Sequence, residues 1–300
     1  MALGPTQPRH CPICGSNVTQ PEYVSASLEV DRCADCGHRF SHHAEWRETS
    51  DYYEHTPQRA RFVSSLQYTR RRQARVMLSR FARLGELSDW LDFGCGRGWF
   101  LEEARTRASG PIAGFDSSVI SRSWLRQRGI LAAEPLTDDP FWPDWASLPF
   151  SPRIVSLLDV VEHLAQGDAE RLLRRLREEL PAFEWLLLKV PASEGILYRI
   201  AHALRNAFPG LYLQLHQVGT SPAHHHYFSH QSLQTLVVNA GYVVVDLMVD
   251  HDVDNVFHRS AALERLPGGE LAGRLIRIGP ADSVIIIARV GPRVEAAARA

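Results

Sequence analysis

Lysine is almost missing from this sequence. Lys189 is the only one among 33 basic residues. The others are arginine, a usage that fits the codon bias of a GC-rich bacterial genome rather than a functional demand. Net charge is missing too. The formal value is −1 at pH 7, which removes the global electrostatic argument for a nucleic-acid partner and leaves only local patches. No apolar run is long enough to span a bilayer. The first residues, MALGPTQPRHCPICG, lack the basic start and apolar core of a secretory signal. These absences lead to the expectation of a cytoplasmic protein without a membrane span.

Cysteine is scarce but ordered. Four of the five form two pairs, Cys11-x2-Cys14 and Cys33-x2-Cys36, each followed by a glycine, Gly15 or Gly37. Two knuckles of this kind supply the four thiolates of a tetrahedral Zn2+ site, with no open position and therefore a structural role. An iron–sulfur centre or a redox pair is the competing reading. Residues 1–45 are expected to form this metal-stapled module. Loss of one cysteine is expected to unfold it and leave the rest of the chain folded.

The remaining chain has 45% apolar residues overall, enough for one large α/β domain. Residues 46–88 read as a helical connector. Val63, Leu66, Ala74, Met77, Leu78, Phe81 and Leu84 recur at helical spacing over 57–84, and Gly85 is placed to end the helix. Its Arg70–Arg72 run is either a solvated face or a surface for an anionic group. From residue 89 to 300, strands and helices alternate, which predicts a parallel sheet with helices on both faces. Residues 192–228, rich in aromatics and histidine, interrupt the alternation and read as a long functional loop.

Within that frame, the stretch LDFGCGRG runs from a strand into a helix. Its glycines, Gly94, Gly96 and Gly98, let the backbone turn tightly and approach a ligand, with helix N–H groups directed at it. The spacing is neither the dinucleotide GxGxxG nor a P-loop. The next strand, PIAGFD, ends in Asp116, placed to accept bonds from a ribose. The bland alternative is a tight turn followed by an Asp116 helix cap.

With LDFGCGRG, GFDSS, IVSLLDVVEHL and HHHYFSHQSLQTLVVNAGY, residues 89–290 resemble the class I S-adenosylmethionine-dependent methyltransferases. The resemblance implies a Rossmann-like domain, with a mostly parallel seven-stranded sheet, behind an N-terminal four-cysteine zinc ribbon. It implies that S-adenosylmethionine sits on Asp92, Gly94, Cys95, Gly96, Gly98, Asp116, Ser117 and Asp159. Cys95 also reads as a small packing residue. Glu134 is the nearest acid to where the family meets adenine, and Arg153 stands where the family carries an aspartate.

LLDVVEHL places Asp159, Glu162 and His163 at the end of a strand, the edge where α/β sheets bind ligands. A capping box, with Asp159 as the cap and Glu162 reaching back, is one reading. His163 as the general base for a hydroxyl is another. The motif is also similar to Mg2+-dependent O-methyltransferases, which implies Mg2+ at Asp159, Glu162 and His163 with one of His224–His226. His226, nearest the re-entry to the fold, is the choice among those three. The expected function is methyl transfer to a small-molecule acceptor, at oxygen. The rivals are an RNA methyltransferase with the ribbon docking RNA, and a non-catalytic cofactor-binding subunit.

Overall fold

Seven strands form the central sheet of the computed structural model, which describes residues 9–43, 60–219, 222–251 and 280–292. In chain order they are β4 (Trp90–Phe93), β5 (Ile112–Phe115), β6 (Leu131–Ala132), β7 (Ile154–Leu158), β8 (Trp185–Pro191), β10 (Tyr242–Asp250) and β11 (Ser283–Val290). Their spatial order is β10-β11-β8-β7-β4-β5-β6. Strand β11 runs antiparallel to both neighbours and the remaining pairs are parallel. The expected α/β architecture is therefore the observed one. β4, β7 and β8 are continuous apolar runs because helices cover both of their faces.

One core lies beneath α4 (Asp168–Glu179) and α7 (His230–Asn239). α4 buries Ala169, Leu173 and Leu176, one stripe of a helix. Ser229 and Ser232 close a reciprocal capping box at the start of α7. The other core lies beneath α1 (Ala60–Phe81), α2 (Trp99–Arg105) and α3 (Val119–Gln127). Ala74, Met77, Leu78 and Phe81 of α1 are buried there. α1 stops at Phe81, and Gly85 N–H returns to the Phe81 carbonyl at 3.1 Å. Residues 46–59, which include the first part of the expected connector, lie outside the described residues. So does most of the poorly patterned stretch after β10. No helix among the described residues is long and apolar enough to cross a membrane.

The cysteine module carries β1 (Thr19–Val24), β2 (Leu28–Cys33) and β3 (Arg39–His43), paired antiparallel. It is not self-contained. β9 (His226–Tyr227) adds to β3, pairing Phe40 with His226. Ser229 Oγ donates to the Cys36 carbonyl at 2.6 Å, and Asn239 Nδ2 to the Ile13 carbonyl at 3.1 Å. Cys11, Ile13, Cys33 and Cys36 pack in the same core as Leu233 and Leu236 of α7. The 192–228 interruption is not a loop. It holds α5 (Ile196–Ala203), α6 (Pro209–Leu215) and β9. Pro209, which reads as a breaker, occupies the first turn of α6, where its missing N–H costs nothing.

Candidate active site

β4 delivers Asp92 to the C-terminal edge of the sheet, and the chain turns there through three left-handed glycines. Gly94, Gly96 and Gly98 have φ of 73°, 51° and 74°, a region that costs other residues about 1–2 kcal/mol. A Cβ on Gly94 would also lie 2.5 Å from Val160 Cγ2. Asp116, at the end of β5, accepts the Gly96 N–H at 2.8 Å and the Ser118 N–H at 2.9 Å. Arg122 lies beneath and donates to the Asp116 and Ser117 carbonyls at 2.6 and 2.9 Å. The acid is thus fixed against the loop, and it does more than cap a helix. Burial raises its pKa, opposed by the two amide bonds. Asp92 is fully buried and accepts the Ser156 hydroxyl at 2.5 Å. Burial pushes its pKa up to about 7. These residues, Cys95 and Ser117 among them, line a cavity of about 880 Å³, within the range of roughly 300–1,000 Å³ for small-molecule sites.

The opposite wall comes from the segment after β7. Asp159 has φ 58°, and two cations hold it there. Lys189 Nζ lies 2.8 and 2.9 Å from its oxygens and Arg70 Nη1 lies 2.5 Å away. Burial alone would raise this carboxyl, but Arg70 and Lys189 bring it below its ordinary value. Asp159 therefore makes no capping box, and the short helical turn Val161–His163 has no side-chain cap. Glu162 is 1% exposed, and its Oε2 has no partner among the described residues. Burial, then the Asp159 charge, keeps it protonated well above the usual range. His163 Nδ1 lies 2.9 Å from the Ala223 carbonyl. That carbonyl only accepts, so Nδ1 carries the proton and Nε2 keeps the lone pair. Burial holds the His163 pKa below 6.5.

A family model described as a methyltransferase domain matches residues 66–247, more than half of the chain. The chain belongs to the methyltransferase-domain family. It is an S-adenosylmethionine-dependent enzyme. No curated protein matches it in sequence. A similar solved structure is magnesium protoporphyrin IX methyltransferase from Synechocystis PCC 6803 with bound SAH. It is 15% identical, over 80% of this chain and 93% of that one, with a TM-score of 0.51. A SAM-dependent methyltransferase from Archaeoglobus fulgidus is 18% identical over 73% and 94% of the two chains, TM-score 0.46. The likeness to both is one of fold.

Several site expectations need correction in this methyltransferase. His226 does not line the cavity. β9 pairs with β3, and this turns His226 into the ribbon core, where its Nδ1 meets His38 Nε2 at 3.0 Å. His224 faces the cavity instead. Tyr227 donates its hydroxyl proton to the Leu215 carbonyl at 2.8 Å and takes the His224 Nδ1 contact at 3.1 Å. The set that converges is Glu162, His163 and His224, their ligand atoms within 4.8 Å of one another. Asp159 is not in it, being held by Arg70 and Lys189. Two imidazoles and one carboxyl are also poor ligands for Mg2+, which takes oxygen donors. Glu134 pairs with Arg126 and Arg122 rather than facing the cavity. Phe141 and Trp142 line that region, and the sequence reading missed them, although FWPDW is a conspicuous aromatic run. Arg70, Arg71 and Arg72 are neither a solvated face nor an anion site. They pair with Asp159, Glu102 and Asp250.

The four paired cysteines converge as the sequence predicts. Cys11 and Cys36 sulfurs lie 3.6 Å apart, as do those of Cys14 and Cys33, and all four fall within 4.8 Å of one another. A disulfide needs about 2.05 Å. Tetrahedral zinc with bonds of about 2.3 Å places sulfurs about 3.8 Å apart. Backbone amides of Ile13 and Cys14 bond the Cys11 sulfur, and those of Ser16 and His38 bond Cys14 and Cys36. The donor set fits zinc.

Proposed function

We propose that this methyltransferase acts on a hydroxyl of a small-molecule acceptor, with His163 as the general base. The observation that carries the reading is the His163 tautomer. The Ala223 carbonyl occupies Nδ1 and leaves a neutral Nε2 as the proton acceptor. S-adenosylmethionine supplies an electrophilic methyl group. Asp92, Gly94, Cys95, Gly96, Gly98, Asp116 and Ser117 are the residues we assign to hold it. The wall of His163, Glu162 and His224 faces the acceptor. Protonated Glu162 donates a hydrogen bond and withholds negative charge from the acceptor oxygen. The chain's own contribution is alignment and proton removal.

The test is release of S-adenosylhomocysteine across a panel of hydroxylated, aminated and carboxylated acceptors. Preference for amines would overturn the oxygen reading. Because the folded His163 pKa lies below 6.5, the base is neutral down to that pH. The acid limb of kcat/KM is therefore expected below 6.5, and an acid limb above 7 would exclude His163.

Asp116→Ala is expected to weaken S-adenosylmethionine by about 1.5–3 kcal/mol, the value of a charge-assisted bond. Calorimetry reads the loss, and unchanged affinity would remove Asp116 from the cofactor site. We assign zinc to Cys11, Cys14, Cys33 and Cys36 in a structural role. We also assign residues 1–45 to a ribbon, 46–88 to a connector that covers the site, and 89–300 to the catalytic domain. The pairing of Arg70–Arg72 with carboxylates leaves the RNA reading without its basic patch.

A further inference from the structure

The insertion between β8 and β9 has a second face that the active site does not use. α5 turns Leu197 and Tyr198 toward the cavity. On its other side, Ile200 and Leu204 are 40% and 37% exposed, followed by Phe208 at 61% and Leu211 at 46%. These four form one stripe. The Leu204 N–H bonds the Ile200 carbonyl at 3.0 Å, Phe208 bonds Leu204 at 2.7 Å, and Leu211 bonds Phe208 at 3.1 Å. Each is therefore one turn beyond the last. The tip between them, residues 203–211, is exposed except for half-buried Arg205.

Charge around the stripe has one sign. No Asp or Glu occurs from residue 195 to 245. Arg199 is exposed, and Arg205 bonds only carbonyl groups, of Glu22 and His202, among the described residues. Arg32 and Arg39 lie close enough to depress His202 after burial has done so. The neighbouring acids are already engaged. Glu22 is buried and paired with Arg39, and Glu194 is paired with His230. An exposed apolar stripe with a basic rim is what an anionic lipid surface receives. A second copy of this face would set arginine against arginine.

We propose that the α5–α6 hairpin docks the enzyme on an anionic bilayer surface, with Ile200, Leu204, Phe208 and Leu211 entering the headgroup boundary and Arg199 and Arg205 meeting lipid phosphates. Docking brings the bilayer within about one helix diameter, roughly 10–12 Å, of the cavity wall. The acceptor class this favours is a hydroxylated molecule with a lipid tail. That consequence alone rests on the methyl-transfer reading.

The test is co-sedimentation of the full chain with phosphatidylglycerol–phosphatidylcholine vesicles and with phosphatidylcholine vesicles. Binding is expected to the anionic vesicles and to weaken with salt. Leu204→Ser/Phe208→Ser is expected to reduce it by roughly tenfold or more, with S-adenosylmethionine affinity unchanged as the control for folding. Arg199→Gln should remove part of the salt-sensitive component. Lack of binding to anionic vesicles, or equal binding by the double variant, overturns the proposal. So does a concentration-dependent dimer that the double variant abolishes. A failure of the methyl-transfer reading would appear in the turnover assay and leave the vesicle result standing.

Discussion

Replacing His163 with alanine is expected to slow turnover by roughly 10²–10⁴-fold, the range for loss of a positioned general base. The acceptor hydroxyl must lose its proton during transfer, and water is a poor base. His163 is held by the Ala223 carbonyl at 2.9 Å, and its ring meets His224 edge-on with centroids 4.7 Å apart. Nothing in the glycine loop or at Asp116 is altered by the substitution, so cofactor affinity should barely move. That split between turnover and binding separates the proton-transfer role from damage to the fold. Glu162→Gln is a milder change, because the carboxyl is already neutral and the amide keeps a donor. It should retain most of the activity. Supplying or withholding Mg2+ should have no effect. Full activity in His163→Ala would exclude the base mechanism, and loss of cofactor binding alongside turnover would point to a structural role.

The parts of this site that were legible in sequence are those whose chemistry is local. A strand, three glycines within five residues and a second strand ending in Asp116 lie close together in sequence, and backbone conformation forces their geometry. The paired cysteines are similar, since each knuckle builds half a site within four residues. What was not legible depends on pairing between distant segments. His226 and His224 differ only in which one β3 captures, and that pairing joins residues nearly two hundred positions apart. The Asp159 ion pairs draw on Arg70 and Lys189, from a helix before the domain and a strand after the motif. One signal was available. A solitary lysine inside the apolar run WLLLKV cannot be buried without a counter-charge, and Lys189 is 1% exposed. A carboxylate on a neighbouring strand edge was therefore required, and Asp159 was the candidate at hand. The helices of the insertion were hidden differently. Short helices whose aromatic residues pack against a separate module carry weak periodicity of their own.

Cys33→Ser is expected to inactivate the enzyme, in contrast to the sequence expectation that the ribbon alone would unfold. Zinc binding and folding are coupled, and structural sites in zinc-finger peptides are worth on the order of 10 kcal/mol. Removing one thiolate should therefore release the ribbon. The ribbon cannot leave alone. Among the described strands β9 pairs only with β3, and its neighbour His225 donates its backbone N–H to the Glu162 carbonyl at 2.8 Å. The same short segment supplies the Ala223 carbonyl that sets the His163 tautomer and the Tyr227 hydroxyl that meets His224. Loss of β3 thus frees the acceptor wall, while the glycine loop and Asp116, on β4 and β5, stay in place. Turnover should fall far more than S-adenosylmethionine affinity. Calorimetry should show one cooperative transition at lower temperature, because Cys11, Ile13, Cys33 and Cys36 share a core with α7. Elemental analysis of the native chain should give one zinc per molecule, and that zinc should be lost in Cys33→Ser. A native protein without zinc would remove the metal from this argument. Two separate transitions, with turnover intact in the variant, would show instead that the ribbon is an independent module.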